Sequence, residues 1–131
     1  MFPYRADGQP EAGRTTLSEQ NYLKKWKANA NGVDLNQNFD AKWALKGGAG
    51  EPSFTNYKGA APEDQSESKA LADYVRKGNF DATISYHAFG SLIYWQFGDH
   101  EAANERSRDL GRAVHAVTSY TLEPADELDA G

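Results

Sequence analysis

The sequence predicts an α/β fold, and three observations carry the prediction. A helix-forming segment, Glu63 to Lys77, runs almost directly into a short β-prone segment, Phe80 to Tyr86, where Ala82, Ile84 and Tyr86 alternate with Thr83 and Ser85. Gly90 interrupts that pattern before LIYWQF resumes it. A second helical pattern then runs from about Asp99 to Thr118. Helices alternating with short strands are the signature of a sheet covered by helices.

Composition bounds the functions open to such a fold. At 131 residues the chain has the length of one domain, and with 39% hydrophobic residues its core is modest. The net charge of −5, with acids dispersed and no basic stripe, argues against nucleic acid or an anionic membrane as partner. Cysteine is absent, so there is no disulfide, no thiolate nucleophile and no cysteine zinc site; a metal would need histidine and carboxylates. No signal-like start and no apolar run of about 20 residues occurs, so the chain reads as soluble and its compartment stays open.

Residues 1–16 are rich in glycine, proline and charge and read as a loop or an unordered arm. Leu17 to Lys27, with Ser18 as a candidate N-cap, predicts a short helix. From Asn29 to Ser66 glycine, asparagine and proline recur with Phe39, Trp43, Phe54 and Tyr57 among them, the composition of a packed, functional loop. Glu63 to Lys77 follows Pro62, opens on acids, places Ala70, Leu71, Tyr74 and Val75 on one side and ends at Gly78 in the C′ position. In the second helix Ala103, Ser107, Leu110, Val114 and Val117 form a core-facing seam. Tyr120 to Leu122 starts another strand, and residues 123–131 read as an acidic tail.

Two places concentrate chemistry. His87 follows the Phe80 strand, and in open α/β sheets ligands and metals gather beyond the carboxyl ends of strands; the same residue also reads as a histidine satisfied by a neighbour. Ala88 and Phe89 beside it read as packing. Asp34, Asn36, Gln37 and Asn38 lie within five positions and can either hold polar groups of a substrate or staple turns.

The order and spacing of several stretches resemble one family. Trp26 to Asp40 reads WKANANGVDLNQNFD, followed by Tyr57-Lys58-Gly59, Pro62 with Gln65-Ser66-Glu67, Ser85-Tyr86-His87 and Ile93-Tyr94-Trp95. Over roughly residues 22–98 this is similar to the central part of the zinc carboxypeptidase family, and especially to its bacterial γ-D-glutamyl-diaminopimelate peptidase branch, which trims cell-wall peptides. The resemblance implies part of a mixed β-sheet with helices packed on it, zinc as cofactor and a peptide as substrate. It places His87 on the third zinc ligand and Asn36 on a residue that holds the substrate's terminal carboxylate. Gln37 falls where the family has arginine, and an amide does not supply that charged, bidentate fork. Lys27 falls near the arginine that stabilises the oxyanion, where a lysine can still supply a point charge.

The family's remaining machinery is unmatched. Its first two zinc ligands form a His-x-x-Glu pair, whereas His100 and His115 are followed three residues later by Ala103 and Thr118 and read as surface residues. Its general-base glutamate belongs to a later strand than the sequence reaches. The expectation is an incomplete zinc-carboxypeptidase-like domain over residues 1–131 that is inactive in isolation, holds zinc weakly and self-associates through exposed strand edges. The alternative is a non-catalytic module that keeps the scaffold and binds peptides or glycopeptides with residues 36–38, Trp43 and Trp95.

Overall fold

The computed structural model of the chain describes residues 24–96, 98 and 100–124. Most of the predicted 17–27 helix, the 1–16 arm and nearly all of the acidic tail lie outside the described residues; Lys24 and Lys25 form a turn and Trp26 and Lys27 are not helical. The α/β class holds: the described elements include two α-helices and a two-stranded parallel sheet. The chain divides into two compact units, Met1–Asn79 and Phe80–Gly131.

Over its described residues, 24–79, the first unit is a long loop folded against one α-helix, with a polar interior. Val33 and Ala72 are its buried hydrophobic side chains among the described residues, whereas Asp34, Asn38, Gln65 and Ser68 are buried polar ones. A buried loop must satisfy its own backbone, and here segment 53–57 does this by lying along segment 27–34. Lys27 and Ala28 N–H donate to the Phe54 carbonyl at 2.8 and 3.2 Å, Ser53 N–H to Gly32 at 3.0 Å, and Asp34 N–H to Tyr57 at 2.8 Å. Asn29 closes the turn between them, its Oδ1 accepting the N–H groups of Asn31 and Val33.

Helix α1 spans Ser66–Lys77, three residues shorter at its start than the sequence predicts. Glu63 has a left-handed backbone, φ 55°, which no α-helix continues. Its N–H donates to the Asn38 carbonyl at 2.7 Å and its carboxylate receives both terminal guanidinium nitrogens of Arg76, so the residues meant for a first turn anchor the loop to the helix instead. The buried positions are Ser68 and Ala72, next to the buried Gln65, while Leu71, Tyr74 and Val75 are exposed, contrary to the expected apolar face. The reason is what α1 packs on in this unit: a polar loop draws in the helix's small and polar side. Gly78 ends the helix with an extended backbone, φ −74°, so the left-handed freedom expected of a C′ glycine is unused.

The second unit is a βαβ arrangement. Strand β1, Leu92–Tyr94, and strand β2, Thr121–Glu123, pair in parallel with Ile93 opposite Leu122, and helix α2, Glu101–Thr118, makes the crossover that parallel pairing requires. Half-buried Ile93 and Leu122 alternate with the exposed Leu92, Tyr94 and Thr121. Of the predicted α2 seam, Leu110 and Val114 are half-buried, but Ala103, Ser107 and Val117 are exposed. The closest approach falls on buried Gly111, where an added Cβ would stand 2.7 Å from Leu122 Cδ1 and 3.5 Å from Ile93 Cγ2. A mid-helix glycine costs about 1 kcal/mol of helix propensity; here it admits the sheet.

The predicted strand from Phe80 to Tyr86 does not form. The segment has no ladder partner among the described residues, and Ala82, Ile84, Tyr86 and the following Phe89 are exposed. A strand is completed by the hydrogen bonds of a neighbour, so alternation alone does not make one. Phe89, expected to pack, is 97% exposed.

Gly59 tests the packed loop directly. With φ +90°, a Cβ there would meet Asn38 Nδ2 and Asp64 Oδ1, both at 2.6 Å, whereas Gly47 has nothing within 4 Å. Gly59→Ala is expected to lose about 2 kcal/mol or more in urea unfolding, and Gly47→Ala to change stability by less than about 1 kcal/mol. Equal effects would refute the close packing at Gly59.

Candidate functional site

The loop that carries the candidate binding residues is organised by two of its own side chains. Asn38 is completely buried. Its Nδ2 donates to Asp64 Oδ1 at 2.8 Å and to the Lys58 and Ala61 carbonyls at 2.9 and 3.3 Å. Its Oδ1 accepts the Gln65 N–H at 3.3 Å and the Ser68 hydroxyl. One carboxamide therefore joins the GVDLN turn, the 58–61 segment and the start of α1. Asp34, 3% exposed, does similar work toward the other strand of the loop: its Oδ2 accepts Asn56 N–H at 3.0 Å and Thr55 Oγ1–H at 3.3 Å.

Asp64 completes the network. Burial raises its pKa, but donors from Gln65, Asn38 and the Ala60 and Ala61 N–H groups outweigh this and hold the carboxyl below its ordinary value. It therefore stays ionised as the acceptor these donors need. Nearby, Lys58 Nζ donates to the carbonyls of Trp43 and Lys46 at 2.9 and 2.6 Å and lies 4.3 Å from the centre of the Trp43 ring. The Trp43 indole N–H returns a bond to the Lys58 carbonyl at 2.9 Å. Burial, and then the charge of Lys58, lowers the pKa of Lys46.

Between Asp34 and Asn38 lies a single 3-10 turn, Leu35–Gln37, that presents Asn36 and Gln37 together. Both are half-buried, and neither side chain has a hydrogen-bond partner among the described residues. The four-residue cluster is thus divided: Asp34 and Asn38 staple turns, and Asn36 and Gln37 remain available. Lys27 belongs to the same unit with an exposed side chain and its main-chain N–H bound to Phe54.

His87 belongs to the second unit and is exposed. His100 precedes α2 with an exposed side chain, and exposed His115 directs Nδ1 at the Tyr120 carbonyl, 2.7 Å away. Among the described residues no three His, Asp or Glu side chains group as metal ligands. A catalytic zinc takes three protein ligands, so the described donors by themselves do not fit the ion. The scaffolding parts of Asp34 and Asn38 escape sequence reading, because four neighbouring polar residues look alike until burial separates them. Also missed is a cleft beside Trp95 and α2; its sequence trace is the stripe Glu101, Asn104, Glu105 and Arg108 on one helix face.

Comparison with known proteins places this sequence in a family. The chain belongs to the zinc carboxypeptidase family, whose profile matches residues 7–126. It is 46% identical over 74 residues to gamma-D-glutamyl-L-diamino acid endopeptidase 1 of Lysinibacillus sphaericus, a match covering 55% of this chain and 19% of that protein. It is 27% identical over 107 residues to human mast cell carboxypeptidase A, covering 80% of this chain and 26% of that protein. With mouse carboxypeptidase A1 it shares 34% identity over 92 residues, 69% of this chain and 22% of that protein. The chain therefore matches about a fifth to a quarter of the length of these relatives. No solved structure matches it. Among the described residues no helix is long and apolar enough to cross a membrane.

Proposed function

We propose that this chain supplies the peptide-recognition loop of a zinc carboxypeptidase-family peptidase, with cell-wall peptides containing a diamino acid as substrate class. The observation that carries the reading is the division of the 34–38 cluster: the buried, satisfied Asp34 and Asn38 fix the turn, and Asn36 and Gln37 keep their amide groups for a ligand. Asn36 would hold a substrate carboxylate or carbonyl, and Gln37 would add one neutral donor where the family uses a cation. The substrate class leans on the similarity to the diamino acid endopeptidase.

His87 is the proposed metal ligand of the family reaction and Lys27 a candidate for steadying an oxyanion. Hydrolysis needs two further zinc ligands and a general base alongside His87, and the chain alone is proposed to be inactive and to hold zinc loosely. The non-catalytic binding module is the second reading, favoured by Gln37, since a neutral amide suits recognition of a peptide amide better than clamping of a terminal carboxylate.

Two measurements test these readings. Titration of the chain with the tripeptide L-alanyl-γ-D-glutamyl-L-lysine is expected to saturate, to weaken on Asn36→Ala by about 1 kcal/mol or more, and to tighten about tenfold on Gln37→Arg. Binding indifferent to both substitutions would remove residues 36–37 from the site. Zinc calorimetry is expected to show no stoichiometric sub-micromolar binding. Tight binding abolished by His87→Ala would mean that further ligands assemble around His87 and that the chain is metal-competent as it stands.

A further inference from the structure

Lys46 and Lys58 belong to one cluster of the first unit and are used unequally. Lys58 Nζ donates to the Trp43 and Lys46 carbonyls at 2.9 and 2.6 Å and sits 4.3 Å from the centre of the Trp43 ring, so two carbonyls and an aromatic face hold it as a cation. The main chain of Lys46 is fixed as well: it ends the 3-10 turn Trp43–Leu45, with its N–H on the Trp43 carbonyl at 3.2 Å. Its side chain is half-buried, and its Nζ has no hydrogen bond or ion pair among the described residues. That nitrogen still reaches solvent, since among the described residues the one unpartnered side-chain polar atom without accessible surface is Arg108 Nε.

Partial burial disfavours the Lys46 ammonium and the fixed Lys58 cation disfavours it again; both lower its pKa, and no described carboxylate opposes them. A lysine desolvated beside a second cation keeps part of its amine unprotonated and nucleophilic at neutral pH. The exposed lysines are placed differently: Lys69 pairs with Asp73 at 3.2 Å, and Lys24, Lys25 and Lys77 face water. The Lys58 charge also selects the reagent. It draws an anionic donor and steadies the negative charge that develops on an acyl oxygen and on a departing phosphate. We propose that Lys46 is an acylation site that takes its acyl group from an acyl phosphate. The Nζ lone pair attacks the acyl carbon, the bond from that carbon to the phosphate oxygen breaks, phosphate leaves with the electron pair, and the amine gives up one proton to water. The assignment rests on the 43–58 cluster alone and not on residues 36–37.

Trace acetylation of the full chain with acetyl phosphate at neutral pH, read lysine by lysine by peptide mass spectrometry, tests this. Lys46 is expected to react at least about threefold faster than Lys24, Lys25, Lys69 or Lys77, and to lose that lead when urea unfolds the chain. With the neutral donor N-succinimidyl acetate the lead is expected to shrink about twofold or more. A rate at Lys46 no higher than at the exposed lysines, a lead that survives unfolding, or equal leads from the two donors would overturn the proposal. Lys58→Met is expected to slow Lys46 at least about twofold while the exposed lysines react as before, and an unchanged rate at Lys46 in the folded variant overturns it too. If Lys58→Met fails to fold by circular dichroism, the comparison of folded with unfolded parent decides.

Discussion

The carboxamide of Asn38 is the group on which the first unit depends. It is buried completely, and its two polar atoms make five hydrogen bonds, to Lys58, Ala61, Asp64, Gln65 and Ser68. Among the described residues of that unit little apolar side chain is buried, so the usual driving force is supplemented by a satisfied polar network, in which any unmade bond costs about 1–3 kcal/mol. Such a network specifies geometry more sharply than a greasy core. That property suits a loop whose neighbouring residues, Asn36 and Gln37, are the ones we propose to receive a ligand.

The second unit is held by different means. A glycine on α2 lets the helix settle against Ile93 and Leu122, and the parallel pair β1 and β2 is short, with three residues in each strand. His87 precedes this unit's sheet on an exposed segment without strand partners among the described residues. The local sequence thus holds strand propensity without the neighbours that would realise it, and the histidine it carries is not fixed by packing. The contrast with the 34–38 loop is physical: one set of candidate residues sits on an ordered network, the other on an unsupported backbone.

Much of this was legible in the sequence. The two helices follow from periodicity, and both end where their predicted ends fall, at Lys77 and Thr118. The last strand was off by one residue, since Thr121–Glu123 pairs and Tyr120 does not. What eluded prediction depended on tertiary partners. The start of α1 moved because Glu63 takes a left-handed backbone and reaches Arg76 across the whole helix. Its buried face rotated to Ser68 and Ala72 because the surface it meets is polar. The Phe80 strand failed for want of a neighbour. In the candidate site, asparagine-rich composition located the loop and family resemblance singled out Asn36, Gln37 and His87, but only burial separates scaffold from free amide.

Amide hydrogen exchange tests the central claim, that Asp34 and Asn38 order the loop as one unit, most directly. The N–H groups of Asp34, Asn56, Glu63 and Gln65 are bonded to Tyr57, Asp34 and Asn38. They are predicted to be protected to a similar degree and to lose protection together in Asn38→Ala. Exchange of these four amides at unfolded-chain rates in the parent, or loss in the variant confined to Glu63 and Gln65, would contradict a single cooperative loop.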